Sequence, residues 1–161
     1  DKSRKPLKIG IIGEIYVLIE PFANLDIQAT LGEMGVYTER AMHLFHWIKE
    51  NTKLSRHEKK VIKLAQPYLR QMIGGHGINS IGETVMFAER GFDGVIQLAP
   101  FSCIPEIVAK GILPQVSHDQ EIPVMTIFLD EMMGKAGMQT RLEAFVDLLL
   151  QRREHRLAEA L

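Results

Sequence analysis

Two rhythms of apolar and polar positions alternate along this chain, and the switches between them lay out its elements. Lys8 to Gly13 (KIGIIG) is apolar at nearly every position and ends on glycine, the pattern of a strand buried on both faces. Asn24 to Gly35 changes to helical spacing through Leu25, Ala29, Leu31 and Met34, and Val36 to Met42 alternates like a half-exposed edge strand. A helical region is predicted from Leu44 to Met72, broken near Asn51 to Ser55. Its second half sets Val61, Leu64, Ala65, Tyr68, Leu69 and Met72 on one stripe, with Pro67 expected to kink or divide it. After GGHG (Gly74 to Gly77) comes a helix from Ser80 to Arg90, stopped by Gly91. DGVIQLA, residues 93–99, is the third strand. A helix from Ser102 to Lys110 follows it, and PVMTIFL (Pro123 to Leu129) is the fourth strand. The last helix runs from Thr140 towards Leu161 and buries Leu142, Phe145, Val146, Leu149 and Leu150. Ser55/Glu58, Ser80/Glu83 and Thr140/Glu143 are spaced as capping boxes at three of these helix starts.

Strands alternating with helices, three of the four strands apolar at nearly every residue, predict a three-layer, doubly wound α/β domain. Its sheet would be mainly parallel and four-stranded, flavodoxin- or Rossmann-like, in the order 2-1-3-4. Residues 1–7 read as a linker stub and residues 8–161 as one domain, expected to be a fragment of a larger multidomain protein. In such sheets ligands gather at the carboxyl ends of the strands. The segments leaving those ends are GEIYVLIEPFAN, APFSCIPE and LDEMMGKAGMQTR, so Glu14, Glu20, Cys103, Glu106, Asp130, Glu131 and Arg141 are expected to crowd one edge. GGHG is set off from strand three by a whole helix. The sequence leaves it either at the opposite edge or crossing over towards this one.

Charge and composition narrow the classes of partner. Nineteen basic against twenty acidic residues give a formal net charge of −1, which offers no global attraction for nucleic acid. No apolar stretch reaches the roughly 20 residues that cross a bilayer. A single cysteine excludes an intrachain disulfide and fits a reducing compartment, so a cytoplasmic location is expected.

That cysteine, Cys103, lies between Pro100 and Pro105 where a strand gives way to a helix. Backbone N–H groups and the helix dipole at such a junction suit a metal ligand or a nucleophile; a buried structural thiol is the plainer alternative. The two prolines fix the backbone around the sulfur, but no histidine signature supplies a partner for nucleophilic work. GGHGINSIGE, with Gly75, His76 and Gly77, is either an anion cradle or a turn that lets backbones approach closely. His43 and His46, beside Trp47, lack a third zinc ligand. Glu14, Asp130 and Glu131 are either an acidic edge for a divalent cation or solvated loop carboxylates.

GEIYVLIEPFANLDI, GGHGINSIGE, GFDGVIQLAPFSCIPEIVAKGILP and DEMMGKAGMQTRLEAFVDLL, in that order, resemble the activase-related proteins of the 2-hydroxyacyl-CoA dehydratase system, over Lys8 to about Arg153. The TRLEAF helix after the fourth strand is more distantly similar to the iron–sulfur subunits of 2-hydroxyglutaryl-CoA dehydratase and benzoyl-CoA reductase, which repeat flavodoxin-like domains. The resemblance implies that Cys103 ligates an iron–sulfur cluster in the full-length protein. It also implies that Glu14, Pro100, Glu106, Gly75, His76, Gly77, Asp130, Glu131 and Arg141 shape the site. With one cysteine present, the ligand set is incomplete and no cluster is expected on this domain alone. The implied partners are other domains of the same protein, an ATPase-type activator module, and a CoA-thioester enzyme or substrate. The activator's own ATP-binding motifs are not in this sequence. A domain binding CoA or a nucleotide, and a scaffolding domain with a structural cysteine, are the alternative readings.

Overall fold

The computed structural model describes residues 5–41, 56–71 and 73–159. Four strands, β1 (Lys8–Gly13), β2 (Tyr37–Arg40), β3 (Gly94–Pro100) and β4 (Val124–Leu129), pair in parallel in the order β2-β1-β3-β4. Ile9 of β1 lies opposite Thr38 of β2 and Gly94 of β3, and Ile96 of β3 lies opposite Met125 of β4. The helices are α1 (Ile15–Ile19), α2 (Ile27–Glu33), α3 (Arg56–Ala65), α4 (Gly77–Glu89), α5 (Ile104–Asp119) and α6 (Lys135–Glu159). The expected doubly wound, three-layer α/β architecture is therefore the one observed.

Strand alternation divides the core in two. Ile9, Ile11, Ile96, Leu98 and Ile127 turn to one face and pack against α1, α2 and α6. Ile12 and Val95 turn to the other and meet Phe87 of α4 and Leu113 of α5. Helix α3 lies outside α4, where Ala65 joins Ile81, Val85 and Val116. No helix among the described residues is long and apolar enough to cross a membrane.

Several element boundaries differ from the sequence expectation. Residues 15–19 form α1, capped by the Glu14 carboxylate, which accepts the Val17 N–H at 3.2 Å. Helix α2 starts only at Ile27, because Leu25 and Asp26 adopt left-handed backbone (φ 56° and 57°) to turn the chain into it. Helix α5 does not stop at Lys110. It runs through Gly111 and Pro114, both solvent-facing, because Ala109, Leu113 and Val116 are buried along its inner side; tertiary burial outweighs two weak helix formers. Helix α3 ends at Ala65, just ahead of Pro67.

The Ser80/Glu83 and Thr140/Glu143 capping boxes are not formed. His76 is the N-cap of α4, and Ser80 lies a turn inside it. Helix α6 begins at Lys135, and the Thr140 hydroxyl donates back to the Ala136 carbonyl at 3.0 Å. Ser55, His43, His46, Trp47, Met42 and Met72 lie outside the described residues.

Candidate functional site

Three chain segments leave the carboxyl edge of the sheet side by side. At the end of β1, Gly13 has φ 135°, and a Cβ there would strike the Leu98 carbonyl of β3. Only glycine lets the strands run this close while the chain turns out. Glu14 follows, its N–H donating to the Leu98 carbonyl at 3.1 Å. At the end of β3 the Phe101 N–H donates to the Leu129 carbonyl of β4 at 3.1 Å, which binds the second exit to the third. Beyond Leu129, the Asp130 carboxylate accepts the Met132 N–H at 3.0 Å to make a tight turn into α6.

Cys103 is the N-cap of α5 (φ −77°, ψ 96°). Its N–H donates to the Pro100 carbonyl at 3.0 Å and its carbonyl accepts the Ile107 N–H at 3.0 Å, so both flanking turns are hydrogen-bonded. The side chain makes no capping hydrogen bond, and the thiol is half-buried. Pro105 occupies the first turn of α5, where its missing N–H costs nothing. The sole thiol thus stands at the rim and not in the hydrocarbon core.

GGHG crosses over to this same edge. Gly77 begins α4 so close to α5 that a Cβ on it would strike the Pro105 carbonyl, and a Cβ on Gly75 would press on the Pro105 ring at 3.0 Å. GGHG thus brings backbones into close approach, and what it approaches is PFSCIPE.

Glu106 does not join the solvated acids of the rim. It lies three residues past Cys103, and its side chain is turned inward to complete burial, 0% exposed. Ser80 of α4 donates its hydroxyl to the carboxylate at 2.9 and 3.1 Å. Gln97 of β3 donates its amide both to a carboxylate oxygen at 2.8 Å and to the Glu106 carbonyl at 3.0 Å. Gln97 in turn accepts the Thr126 hydroxyl of β4 at 2.8 Å. Burial pushes the Glu106 carboxyl above its ordinary value, the bonds from Gln97 and Ser80 oppose that rise, and the charge of Glu14 adds to it. One side chain so ties the first turn of α5, and with it Cys103, to both α4 and the middle of the sheet.

A small recess of ≈20 Å³, open to solvent, borders this junction. Gly13, His57, His76, Asn79, Ser80 and Glu83 line it. Within it His57 of α3 and Glu83 of α4 pair at 2.8 Å. Asp130, Glu131 and Arg141 are exposed; Arg141 lies in the second turn of α6. Pro100, at the end of β3, is half-buried. Among the described residues no group of three or more His, Cys, Asp or Glu side chains is arranged to hold a metal ion.

Sequence reasoning missed Gln97, Ser80 and Thr126 as parts of the junction. The first left a visible signal: Gln97 is the one polar residue inside the apolar run of β3, and a polar side chain there must find a buried partner. Set against known proteins, the chain matches no family model and no curated protein.

Proposed function

We propose that this is the cluster-contributing domain of an ATP-coupled electron-transfer protein, of the kind the sequence resembles, with Cys103 as one ligand of an iron–sulfur cluster. The observation that carries the reading is the position of Cys103: a half-buried thiol at a strand–helix junction on the carboxyl edge, uncommitted to any cap bond. The donor set fits such a group as a contribution and not as a whole. A cubane cluster takes three or four thiolates and the sequence holds one cysteine, so other domains of the same protein, or another subunit, complete the set. The dipole of α5 favours negative charge at its start. Pro100, Pro105 and the buried Glu106 hold the sulfur's backbone fixed. When bound, the cluster supplies low-potential electron transfer; the chain's own residues position one ligand and limit the water around it. An ATPase-type module supplies the electrons in this reading, the cluster that Cys103 helps to hold accepts them, and the protein acts on a CoA thioester or activates an enzyme for one.

The test is the iron and acid-labile sulfide content of the full-length protein purified without oxygen, with Cys103→Ala compared to Ser102→Ala. A severalfold loss of both elements in the cysteine variant alone is the expected result. Equal iron and sulfide in the two variants, with both folded, refutes the assignment.

A further inference from the structure

Large apolar side chains stand exposed around the carboxyl edge of the sheet. Phe22 is 88% exposed, Met132 85%, Ile104 72% and Phe101 69%, and Tyr16 and Ile107 add to them. They belong to the three exits that hydrogen bonds hold side by side, from Glu14 to Leu98 and from Phe101 to Leu129. Scattered exposed apolar residues need no explanation, but a group gathered on one edge marks a surface that something covers.

Charge says what covers it. The exits, residues 14–26, 101–108 and 130–134, contain Glu14, Glu20, Asp26, Glu106, Asp130 and Glu131 and no Lys, Arg or His at all. Glu106 is buried; the other five are exposed or half-exposed. Of the cations bordering them, two lysines are already engaged and Arg40 donates to the Leu18 carbonyl at 2.8 Å, while Arg141 stands exposed in the second turn of α6, outnumbered by the five carboxylates. Lys110 lies over the Phe128 ring at 4.8 Å, and Lys135 stands 3.8 Å from Asp26. An apolar surface edged with carboxylates repels anionic lipid, and it repels a second copy of itself.

We infer that the carboxyl edge around Cys103 is a docking surface for a protein whose contact face is apolar at its centre and bordered by Lys and Arg. The apolar residues exclude water from the junction once covered, and the carboxylates select and steer the partner. This inference names the partner's chemistry and does not require Cys103 to bind iron.

Two synthetic amphipathic helices test it. They share one Leu/Phe face, contain no cysteine, and are flanked by Lys in one and Glu in the other. Fluorescence anisotropy with the folded chain is expected to show the Lys peptide binding at least about tenfold tighter than the Glu peptide, with the preference shrinking at high salt. The double variant Phe101→Ser/Ile104→Ser is expected to weaken the Lys peptide by about tenfold or more, since central apolar anchors dominate such contacts. Leu148→Ser/Leu157→Ser, which changes exposed apolar residues of α6, leaves binding unchanged. Equal binding of the two peptides, or binding indifferent to Phe101 and Ile104, overturns the inference. So does dimerisation of the chain through this edge in sedimentation velocity, or tighter association with anionic vesicles than with the Lys peptide. Because neither peptide carries sulfur, these results are independent of the iron content that decides the role of Cys103.

Discussion

The two faces of the sheet are built on different physics. Under α1, α2 and α6 the strands present Ile9, Ile11, Ile96, Leu98 and Ile127, and Leu142 and Phe145 come down on them in a cluster of apolar side chains. Under α4 and α5 the same strands present Ile12 and Val95, but also Gln97 and Thr126, and the chain Thr126–Gln97–Glu106–Ser80 runs through the interior to the start of α5. The hydrocarbon face gains from any side chain of suitable volume. The polar face tolerates only partners that satisfy one another, since a buried donor or acceptor left alone costs about 1–3 kcal/mol. One face therefore supplies bulk stability. The other fixes where PFSCIPE and GGHG meet, and that junction is at the candidate site.

Truncation on each face exposes the contrast. Leu142→Ala, at a fully buried position of the hydrocarbon face, is expected to cost about 4 kcal/mol in chemical denaturation, by the same amount at every pH where the protein is folded. Next in size is Glu106→Ala, expected to cost about 3 kcal/mol, because it leaves the Ser80 hydroxyl buried without its acceptor and the Gln97 amide with only the backbone carbonyl of residue 106. Unlike the first, this loss is shared. In a double-mutant cycle with Ser80→Ala the two changes should couple by about 1 kcal/mol or more, whereas Leu142→Ala should add independently to either. Coupling near zero between Glu106 and Ser80 would mean that the polar chain does not act as a unit.

The same contrast explains what the sequence disclosed. KIGIIG, DGVIQLA and PVMTIFL are apolar runs whose burial is the only way to satisfy them, so the strands, their parallel pairing and the order 2-1-3-4 followed from pattern alone. The hydrocarbon face needs nothing further. The polar face is hidden for the complementary reason: Ser80, Glu83 and Glu106 are residue types that sit on surfaces, and a Ser three residues before a Glu at a helix start reads as a cap. Only the folded chain shows that Ser80 is a turn inside α4 and bonded across to α5. Local pattern likewise could not extend α5 past Gly111 and Pro114, since what carries the helix through is burial of Ala109, Leu113 and Val116 against other elements. Cys103 was placed correctly because its position depends on the end of β3, which is local. The meeting of GGHG with Pro105 depends on two helices packing, which is not.

Glu106→Gln gives the smallest change and the sharpest distinction between the faces. The amide keeps the shape of the carboxyl and an oxygen to accept from Ser80 or Gln97, so near pH 4 the variant should unfold close to the wild-type midpoint. The two then diverge as pH rises. Burial holds the folded-state value of the Glu106 carboxyl above its ordinary 4.5, so between those two values the folded chain binds more protons than the unfolded one. By linkage, wild-type stability falls as pH climbs through that window, and the contribution of Glu106 is fully present only below it. Glutamine does not titrate and escapes the loss. The variant's stability relative to wild type should therefore increase as pH rises through that window and level off above it, as read from urea denaturation at each pH. A flat difference across that range would mean that the hydrogen bonds from Ser80 and Gln97 offset the burial of the charge completely. The polar face would then be as indifferent to pH as the hydrocarbon face opposite it.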